Sequence, residues 1–261
     1  MSMRLHYLAM GVAAALALAA CSKKEEAPAE KAATPAPAPA AAPIDASTAA
    51  TITGSVKLDG PAPKMPRLKT DSDPYCAKMH SSAPLLAEEI VTGKDGALAN
   101  VVVYVKAGLE NRTFPTPTEA VTLTQNGCEY KPHVVALMVN QPIDIVNADQ
   151  TTHNIHPTPA NNRDWNKSQG PGAEKITDSF AHEEIAVPVK CNVHSWMKAY
   201  IAVLKTPYYQ VTTTDGTFEL KNLPPGDYTI TAWQEKYGAV DQKVTVGPKE
   251  TKKLDFVFKA S

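Results

Sequence analysis

From residue 51 onward the chain is a succession of short segments rich in β-branched and aromatic residues. "TITGSVKL" alternates apolar and polar residues, and "LANVVVYVKAGL", "AYIAVLKT" and "DYTITAWQ" have the same strand character. Turn residues such as Asp215-Gly216 and Gly247-Pro248 separate these segments. No long stretch keeps the helical period of about 3.6 residues, so the pattern predicts an all-β fold of sandwich or barrel type. Residues 158–180 are polar and poorly patterned, and they are predicted to form a long loop.

The first 20 residues have the composition of an export signal. Arg4 precedes an apolar run from Leu8 to Ala20, which is too short for a membrane span and fits the core of a secretory signal. The four residues Leu18-Ala19-Ala20-Cys21 resemble the lipobox of bacterial lipoproteins. That resemblance implies a signal peptide over residues 1–20 and a lipid on Cys21. Ser22 beside it favours the outer membrane, by resemblance to Gram-negative lipoproteins.

Residues 21–50 consist mostly of Ala and Pro after an early cluster of Lys and Glu. Such a composition cannot bury a core, so it predicts a disordered tether with an extended reach of at most about 90 Å. The remaining residues 51–261 are enough for one large or two small domains. The net charge of −1 argues against nucleic acid as a partner.

The chain has four cysteines, and an exported protein tends to pair its cysteines. With Cys21 assigned to the lipid, Cys76 and Cys128 are the candidate disulfide. A metal site formed by these two cysteines with His80 and His133 stays open as an alternative. In either case one cysteine is left without a role.

That cysteine, Cys191, lies in "VKCNVHSWMKAY", with His194 three residues later and Met197 three residues beyond. A cysteine and two histidines with a weak axial methionine form the blue-copper ligand set. The segment "IVNADQTTHNIH" supplies a second histidine, His153, directly before Asn154. Zinc would also accept a cysteine and two histidines, but the thioether and the exported setting favour copper.

With these residues in place, the chain resembles the cupredoxins, the family of plastocyanin, pseudoazurin and amicyanin. The resemblance covers residues 118–206, and the two-residue gaps on both sides of His194 match the short ligand loop of amicyanin. It implies a Greek-key β-sandwich that holds one type 1 copper ion. The ligands carried over from the family are His153, Cys191, His194 and Met197.

The same resemblance implies roles for neighbouring residues. Asn154 would stiffen the site through backbone hydrogen bonds near the sulfur. His194 would lie near the surface and pass the electron, with Trp196 and Pro157 as candidates for its apolar rim. His156 lies three residues past the first histidine and is the alternative ligand.

The C-terminal stretch "TTTDGTFELKNLPPGDYTITAWQEKYG" resembles the carboxypeptidase regulatory-like, transthyretin-like β-sandwich. That family is a scaffold without catalytic residues, and residues 207–261 are too few for the full sandwich. Strands within residues 51–117 are candidates to complete it. We hypothesise a discontinuous sandwich of residues 51–112 and 208–261 with the cupredoxin inserted. The alternative assigns residues 51–112 to an enlarged cupredoxin with a small C-terminal addition.

Together these features imply a membrane-tethered blue copper protein that carries single electrons between redox partner proteins outside the cytoplasm. It would face the periplasm or the exterior. The sequence contains no Ser/His/Asp set and no second copper site of the oxidase kind, so an enzyme is not expected. The alternative is a non-redox lipoprotein that holds copper or binds polysaccharide or protein. The trigonal ligand set with an axial methionine favours the electron carrier, although a fold-level resemblance does not identify its partners.

Overall fold

The computed structural model describes residues 44–260. The apolar run, Cys21 and the predicted tether up to residue 43 lie outside the described residues. The folded region starts slightly before residue 51, because Ala50 opens the first strand and Ile44 packs against a core. Among the described residues, no helix is long and apolar enough to cross a membrane.

The described chain is almost entirely β, which confirms the predicted fold class. In chain order the strands are β1 (Ala50–Asp59), β2 (Val102–Ala107), β3 (Val121–Gln125), β4 (Tyr130–Lys131), β5 (Val134–Met138), β6 (Ile143–Asn147), β7 (His153–Pro157), β8 (Lys167–Gln169), β9 (Ile176–Asp178), β10 (Glu184–Lys190), β11 (Lys198–Leu204), β12 (Tyr209–Val211), β13 (Thr217–Leu223), β14 (Gly226–Gln234), β15 (Gly238–Val246), β16 (Thr251–Lys253) and β17 (Phe256–Lys259). The helical elements are α1 (Pro74–Met79) and a short 3₁₀ turn (Lys94–Gly96).

Strands from both ends of the described chain form one sandwich, called here the flanking sandwich. Its first sheet has the order β13-β1-β16, with β17 also paired to β1, and its second has the order β12-β2-β14-β15. The strands β1 and β2 therefore pair directly with the C-terminal strands, as the discontinuous arrangement requires. The core between the sheets includes Ile52, Val56, Leu98, Val103, Phe218, Leu220, Ile230 and Phe256.

In strand β1, the alternation of buried and exposed side chains is interrupted by a glycine where another segment of backbone lies against the strand. Ile52 and Val56 point into the core of the flanking sandwich, with Gly54 between them. A Cβ atom at Gly54 would lie 1.7 Å from the carbonyl oxygen of Leu254. Glycine is needed here because the C-terminal chain passes directly against the backbone of β1.

Strands β3 to β11 form a second sandwich, called here the central sandwich. Its sheets have the orders β5-β11-β10-β7-β8 and β4-β3-β6-β9. Residues 158–180 are not a plain loop, because they contain β8 and β9 at the edges of the two sheets. Strands of three residues are too short to show a period in the sequence. The core includes Leu123, Tyr130, Leu137, Ile143, Ile145, Ile155, Val187, Val189, Ile201 and Val203.

A small third cluster joins the two sandwiches. Val102 and Tyr104 on β2 pack against Val134 on β5 and against Ala202 and Leu204 on β11. All five side chains are buried. The central sandwich therefore rests on the flanking one through an apolar contact.

We expect Gly54→Ala to lower the free energy of unfolding by about 1–3 kcal/mol or more, because the added methyl group collides with backbone. Chemical denaturation followed by circular dichroism measures this change. Gly247→Ala is the matched control in the same sandwich, since its Cβ would meet only the Glu250 carboxylate at 3.5 Å. Equal stability of the two variants would contradict the close approach of β1 and Leu254.

Candidate metal centre

The candidate ligands come from the first residue of β7 and from the loop between β10 and β11. This loop closes on itself, because the Cys191 amide donates to the Met197 carbonyl at 3.3 Å and the Met197 amide donates to the His194 carbonyl at 2.9 Å. Cys191 and Met197 are both buried in the core of the central sandwich. The fold therefore holds three of the four candidate ligands on one short, anchored loop.

The donor atoms of His153, Cys191 and His194 converge on one point. The Nδ1 atoms of the two histidines lie 2.9 Å apart, and the Cys191 sulfur lies 4.0 Å from His194 Nδ1. All three donor atoms lie within 4.8 Å of one another. Metal bonds of about 2.0 Å to nitrogen and about 2.3 Å to sulfur place such donors roughly 3–4 Å apart. The spacing thus fits a single ion, and Met197 packs in the same core cluster as the cysteine.

The surroundings of Cys191 favour its thiolate form. Its sulfur accepts a hydrogen bond from the His194 amide at 3.3 Å, and the backbone amides of Asn154 and Val193 also bond to it. Burial by itself raises the pKa of the thiol, but the His153 ring and these amides together hold the pKa below its usual value. The thiolate is the form that binds metals.

Asn154 fastens β7 to the ligand loop. Its Oδ1 atom accepts a hydrogen bond from the Asn192 amide at 2.9 Å, and its Nδ2 atom donates to the Lys167 carbonyl at 3.2 Å and to the Asn166 side chain. The side chain therefore joins the residue after Cys191 to β7 and β8.

His153 is held from behind by a buried carboxylate. Its Nε2 atom donates to Asp149 at 2.8 Å, and Asp149 also accepts from the amides of Gly127 and Cys128, each at 2.8 Å. The bond fixes the ring tautomer and leaves Nδ1 directed at the other donors. Burial lowers the pKa of His153, but the hydrogen bonds to Asp149 and Cys191 raise it to about 9. A metal ion would displace the bound proton.

A second carboxylate lies behind His194. Asp73 Oδ2 is 3.3 Å from His194 Nε2, an ion-pair distance without hydrogen-bond alignment. Asp73 caps α1 by accepting from the Cys76 amide at 2.9 Å, and it accepts from the Thr151 hydroxyl at 2.9 Å. Burial raises the pKa of the Asp73 carboxyl, but these hydrogen bonds and the nearby His194 lower it by more. The net result is a pKa below the usual value.

Sequence reasoning missed both carboxylates. The pair Asp73-Pro74 carries a usable signal, because aspartate at the N-cap with proline at the first helical position marks a helix start. That signal locates α1 but not its contact with His194. Asp149 carries no comparable signal, since its partners lie on a different strand and a different loop.

The structure joins Cys76 and Cys128 by a disulfide. Asp73 is bonded to the amide of the first cysteine and Asp149 to the amide of the second. The disulfide therefore links the two carboxylates that stand behind the two histidines.

The alternative four-residue metal site is not formed among the described residues. Its two sulfur atoms are bonded to each other, and His80 Nε2 donates to the Gly127 carbonyl at 2.9 Å. His133 lies elsewhere, with its Nε2 atom 2.6 Å from Glu235. The two cysteines of this alternative site thus form a disulfide, and its two histidines bond to other residues.

The expectation that His194 lies at the surface is wrong. The residue is 1% exposed, because residues 73–80, called here the cap segment, lie over it. Trp196 packs beside it, with ring centroids 4.8 Å apart, and donates its indole N–H to the Cys128 carbonyl. Pro157 is buried in β7 and so forms no surface rim. The cap segment precedes the region of cupredoxin resemblance, which explains why the resemblance gave no warning of it.

His156 does not join the donor cluster. Its ring nitrogens lie 3.1 Å from Asn192 Oδ1 and 3.2 Å from Asp164 Oδ1. Its side chain is partly exposed, whereas His153 is fully buried. The structure therefore favours His153 over the alternative histidine.

We expect Asp149→Asn to weaken copper binding by about 10–100-fold, because the amide supports the His153 ring less well than a carboxylate does. Competition titration with a chelator measures the affinity, and circular dichroism checks the fold. Asp164→Asn is the matched control, since Asp164 is exposed and contacts only His156 among the histidines of this region. Equal affinities in the two variants would show that Asp149 has no part in metal binding.

Residues 197–259 match the family of carboxypeptidase regulatory-like domains. The match begins at the start of β11, which pairs with β5 and β10 of the central sandwich, and so starts ten residues before the boundary predicted at residue 207. No curated protein sequence matches the chain.

Several solved structures are similar to this chain, and their names describe copper proteins. Amicyanin from Paracoccus versutus is 15% identical, with 39% of this chain and 96% of amicyanin covered and a TM-score of 0.30. A purple cupredoxin from Nitrosopumilus maritimus is 17% identical, with 31% and 97% covered and a TM-score of 0.27. A Cu-containing nitrite reductase from Thermus scotoductus is 19% identical, with 39% of this chain but only 25% of the reductase covered and a TM-score of 0.31.

Likenesses with TM-scores this low carry no weight for function, and the case for a metal rests on the side chains. The family match at residues 197–259 confirms the resemblance of the C-terminal sequence to carboxypeptidase regulatory-like domains. The chain is an all-β protein whose residues 197–259 match the family of carboxypeptidase regulatory-like domains.

Proposed function

We propose that this chain is a membrane-tethered blue copper protein that carries single electrons between redox partner proteins outside the cytoplasm. The observation that carries the proposal is the convergence of two imidazole nitrogens and one cysteine sulfur in a buried site, with Met197 in the same buried core cluster as the cysteine. When bound, copper would supply a one-electron change between Cu(I) and Cu(II). One type 1 ion would be held by His153, Cys191, His194 and Met197.

The kinds of donor support copper over harder metals. Thiolate and thioether are soft ligands, and imidazole is borderline, which suits copper. Each candidate ligand is 0–3% exposed, so water and substrate have little access. Such a closed site suits an electron carrier better than an enzyme, which keeps an open position on its metal.

The scaffold supports low reorganisation during electron transfer. Cys191 and Met197 are packed into the core. The ring of His153 donates a hydrogen bond to Asp149, and the Asn192 backbone next to the sulfur donates one to Asn154. The donors therefore have little freedom to move. Asp73 and Asp149 place negative charge behind the two histidines, which favours the more positive oxidation state of a bound ion.

The burial of His194 favours a second candidate function, that of a protein that holds copper without passing electrons. In that case the blue site would form, but redox partners would oxidise or reduce it only slowly. Measuring the rate at which small reductants reduce the copper-loaded protein distinguishes the two functions.

The proposed location is the bacterial envelope, with attachment to the outer membrane through a lipid on Cys21. The disulfide between Cys76 and Cys128 supports an oxidising compartment outside the cytoplasm, because such bonds are rare in reducing ones. Metabolic labelling with a fatty acid tests the anchor, and a Cys21→Ser variant should lose the label.

We expect Cys191→Ser to abolish the intense thiolate-to-copper absorption band, because serine supplies no sulfur. Visible absorption and EPR spectra of the Cu(II)-loaded protein test this outcome. His156→Ala is the control and should keep the band. An unchanged spectrum in Cys191→Ser, or a lost band in His156→Ala, would overturn the ligand assignment.

We expect Met197→Gln to keep copper but lower its reduction potential, because the axial ligand tunes the potential. A spectroscopic redox titration measures the shift. Met79→Gln is the matched control, since Met79 is 41% exposed on α1 and offers no axial position. Equal potentials in the two variants would remove Met197 from the site.

A further inference from the structure

A cavity of about 350 Å³ opens beside Trp196, between the ligand loop and the flanking sandwich. Small-molecule sites in proteins occupy about 300 to 1,000 Å³, so the cavity has room for a compact organic ligand. No role assigned so far uses this space. The residues that matter for its chemistry are Leu68, Leu86, Glu88, His133, Trp196 and Glu235.

The cavity is linked to the candidate copper site by one aromatic side chain. The ring centroids of Trp196 and His194 are 4.8 Å apart, and His194 Nδ1 is 4.0 Å from the Cys191 sulfur. His194 itself is only 1% exposed, whereas Trp196 lines the cavity. A molecule in contact with Trp196 is therefore separated from the ligand cluster by one side-chain contact, that between Trp196 and His194.

The polar wall of the cavity can accept a proton. His133 lies between two carboxylates, with Nε2 at 2.6 Å from Glu235 and Nδ1 at 3.8 Å from Glu88. Glu235 is engaged in the short contact, which leaves Glu88 as the more available oxygen acceptor. Burial raises the pKa of Glu88, so its carboxylate takes up a proton more readily than an exposed glutamate does.

Part of the remaining wall is flat or apolar, and the charged side chains of Glu89, Glu129, Lys198 and Lys236 line the rest. Trp196 offers an aromatic face, and Leu68 and Leu86 offer aliphatic surface. A ligand matched to these walls has an apolar, planar body and an O–H group that donates to a carboxylate. Phenols and hydroquinones have this combination, and their one-electron oxidation also releases a proton.

We propose that this cavity binds a small phenolic reductant, such as hydroquinone, whose electron reaches the copper through Trp196 and His194. The inference rests on the proposed function, because Cu(II) is the oxidant. In the step, the O–H bond of the donor breaks and its proton passes to the Glu88 carboxylate. One electron converts Cu(II) to Cu(I), and the donor leaves as a phenoxyl radical.

Binding is tested first, without copper. The copper-free full chain is titrated with 3-fluorophenol, and the ¹⁹F NMR signal is followed. Wild-type protein should bind it saturably, and Leu86→Trp should weaken binding by at least about tenfold because the indole fills the cavity. Leu86 is 48% exposed, so the larger side chain is tolerated by the fold, and Val257→Trp at the 54% exposed site on β17 is the matched control. Absent saturation, or equal binding in wild type and Leu86→Trp, overturns the cavity as a phenol site.

Electron transfer is tested next, with the copper-loaded full chain under anaerobic conditions. Hydroquinone should bleach the blue band at a rate that saturates with its concentration, and Glu88→Gln should slow the saturated rate by at least about tenfold, because an amide does not take up the proton. Hexaammineruthenium(II), which carries no transferable proton, should reduce both proteins at the same rate. Equal hydroquinone rates in Glu88→Gln and wild type overturn the inference. A wild-type protein that binds fluorophenol but forms no blue band instead overturns the proposed function, and the electron route with it.

Discussion

The disulfide between Cys76 and Cys128 is the constraint on which the candidate metal centre depends. It closes a separation of 52 residues, for which the loop-entropy model gives about 4 kcal/mol of stabilisation. More importantly, it holds the cap segment over His194. Each of its cysteines bonds one carboxylate through a backbone amide, so Asp73 stands behind His194 and Asp149 behind His153. Without the disulfide, the cap segment would lose its covalent link to the central sandwich and its hold over His194.

This closure changes how electrons would reach the site. In the proposed electron carrier, a partner could not contact the buried His194 ring directly, and a neighbouring side chain would lie between them. Trp196 is suited to this role because it contacts His194 and lines a cavity at the same time. In the proposed function, Asp73 and Asp149 behind the two histidines would tune the potential of the copper. Electrons would enter separately, through the cavity beside Trp196.

The flanking sandwich contributes to that arrangement rather than serving only as an appendage. Glu235 follows β14 of this sandwich, and its contact with His133 of the central sandwich forms part of the cavity wall. The strands β1 and β2 complete the sandwich from the N-terminal side, and β2 packs against β5 and β11. The C-terminal strands are therefore held in place by two means. They pair with β1 and β2 from the N-terminal part of the described chain, and β2 makes the apolar contact with the central sandwich.

Short-range pattern in the sequence determined the β character of the chain and predicted the candidate ligand set, because strand alternation and the spacing of Cys191, His194 and Met197 are local properties. The candidate pairing of Cys76 with Cys128 followed by elimination, with Cys21 assigned to the lipid and Cys191 set beside His194 and Met197. Only the tertiary structure decided that His194 is buried, that Asp73 and Asp149 support the histidines, and that β8 and β9 are strands. Most of these features depend on contacts between segments far apart in the chain, such as Asp73 with His194, or on strands of only three residues. Asp149 lies only four residues before His153, but it is also bonded to the amides of Gly127 and Cys128, which lie 22 and 21 residues away in the chain. No local period or spacing encodes such contacts, since they arise when packing and the disulfide bring the segments together.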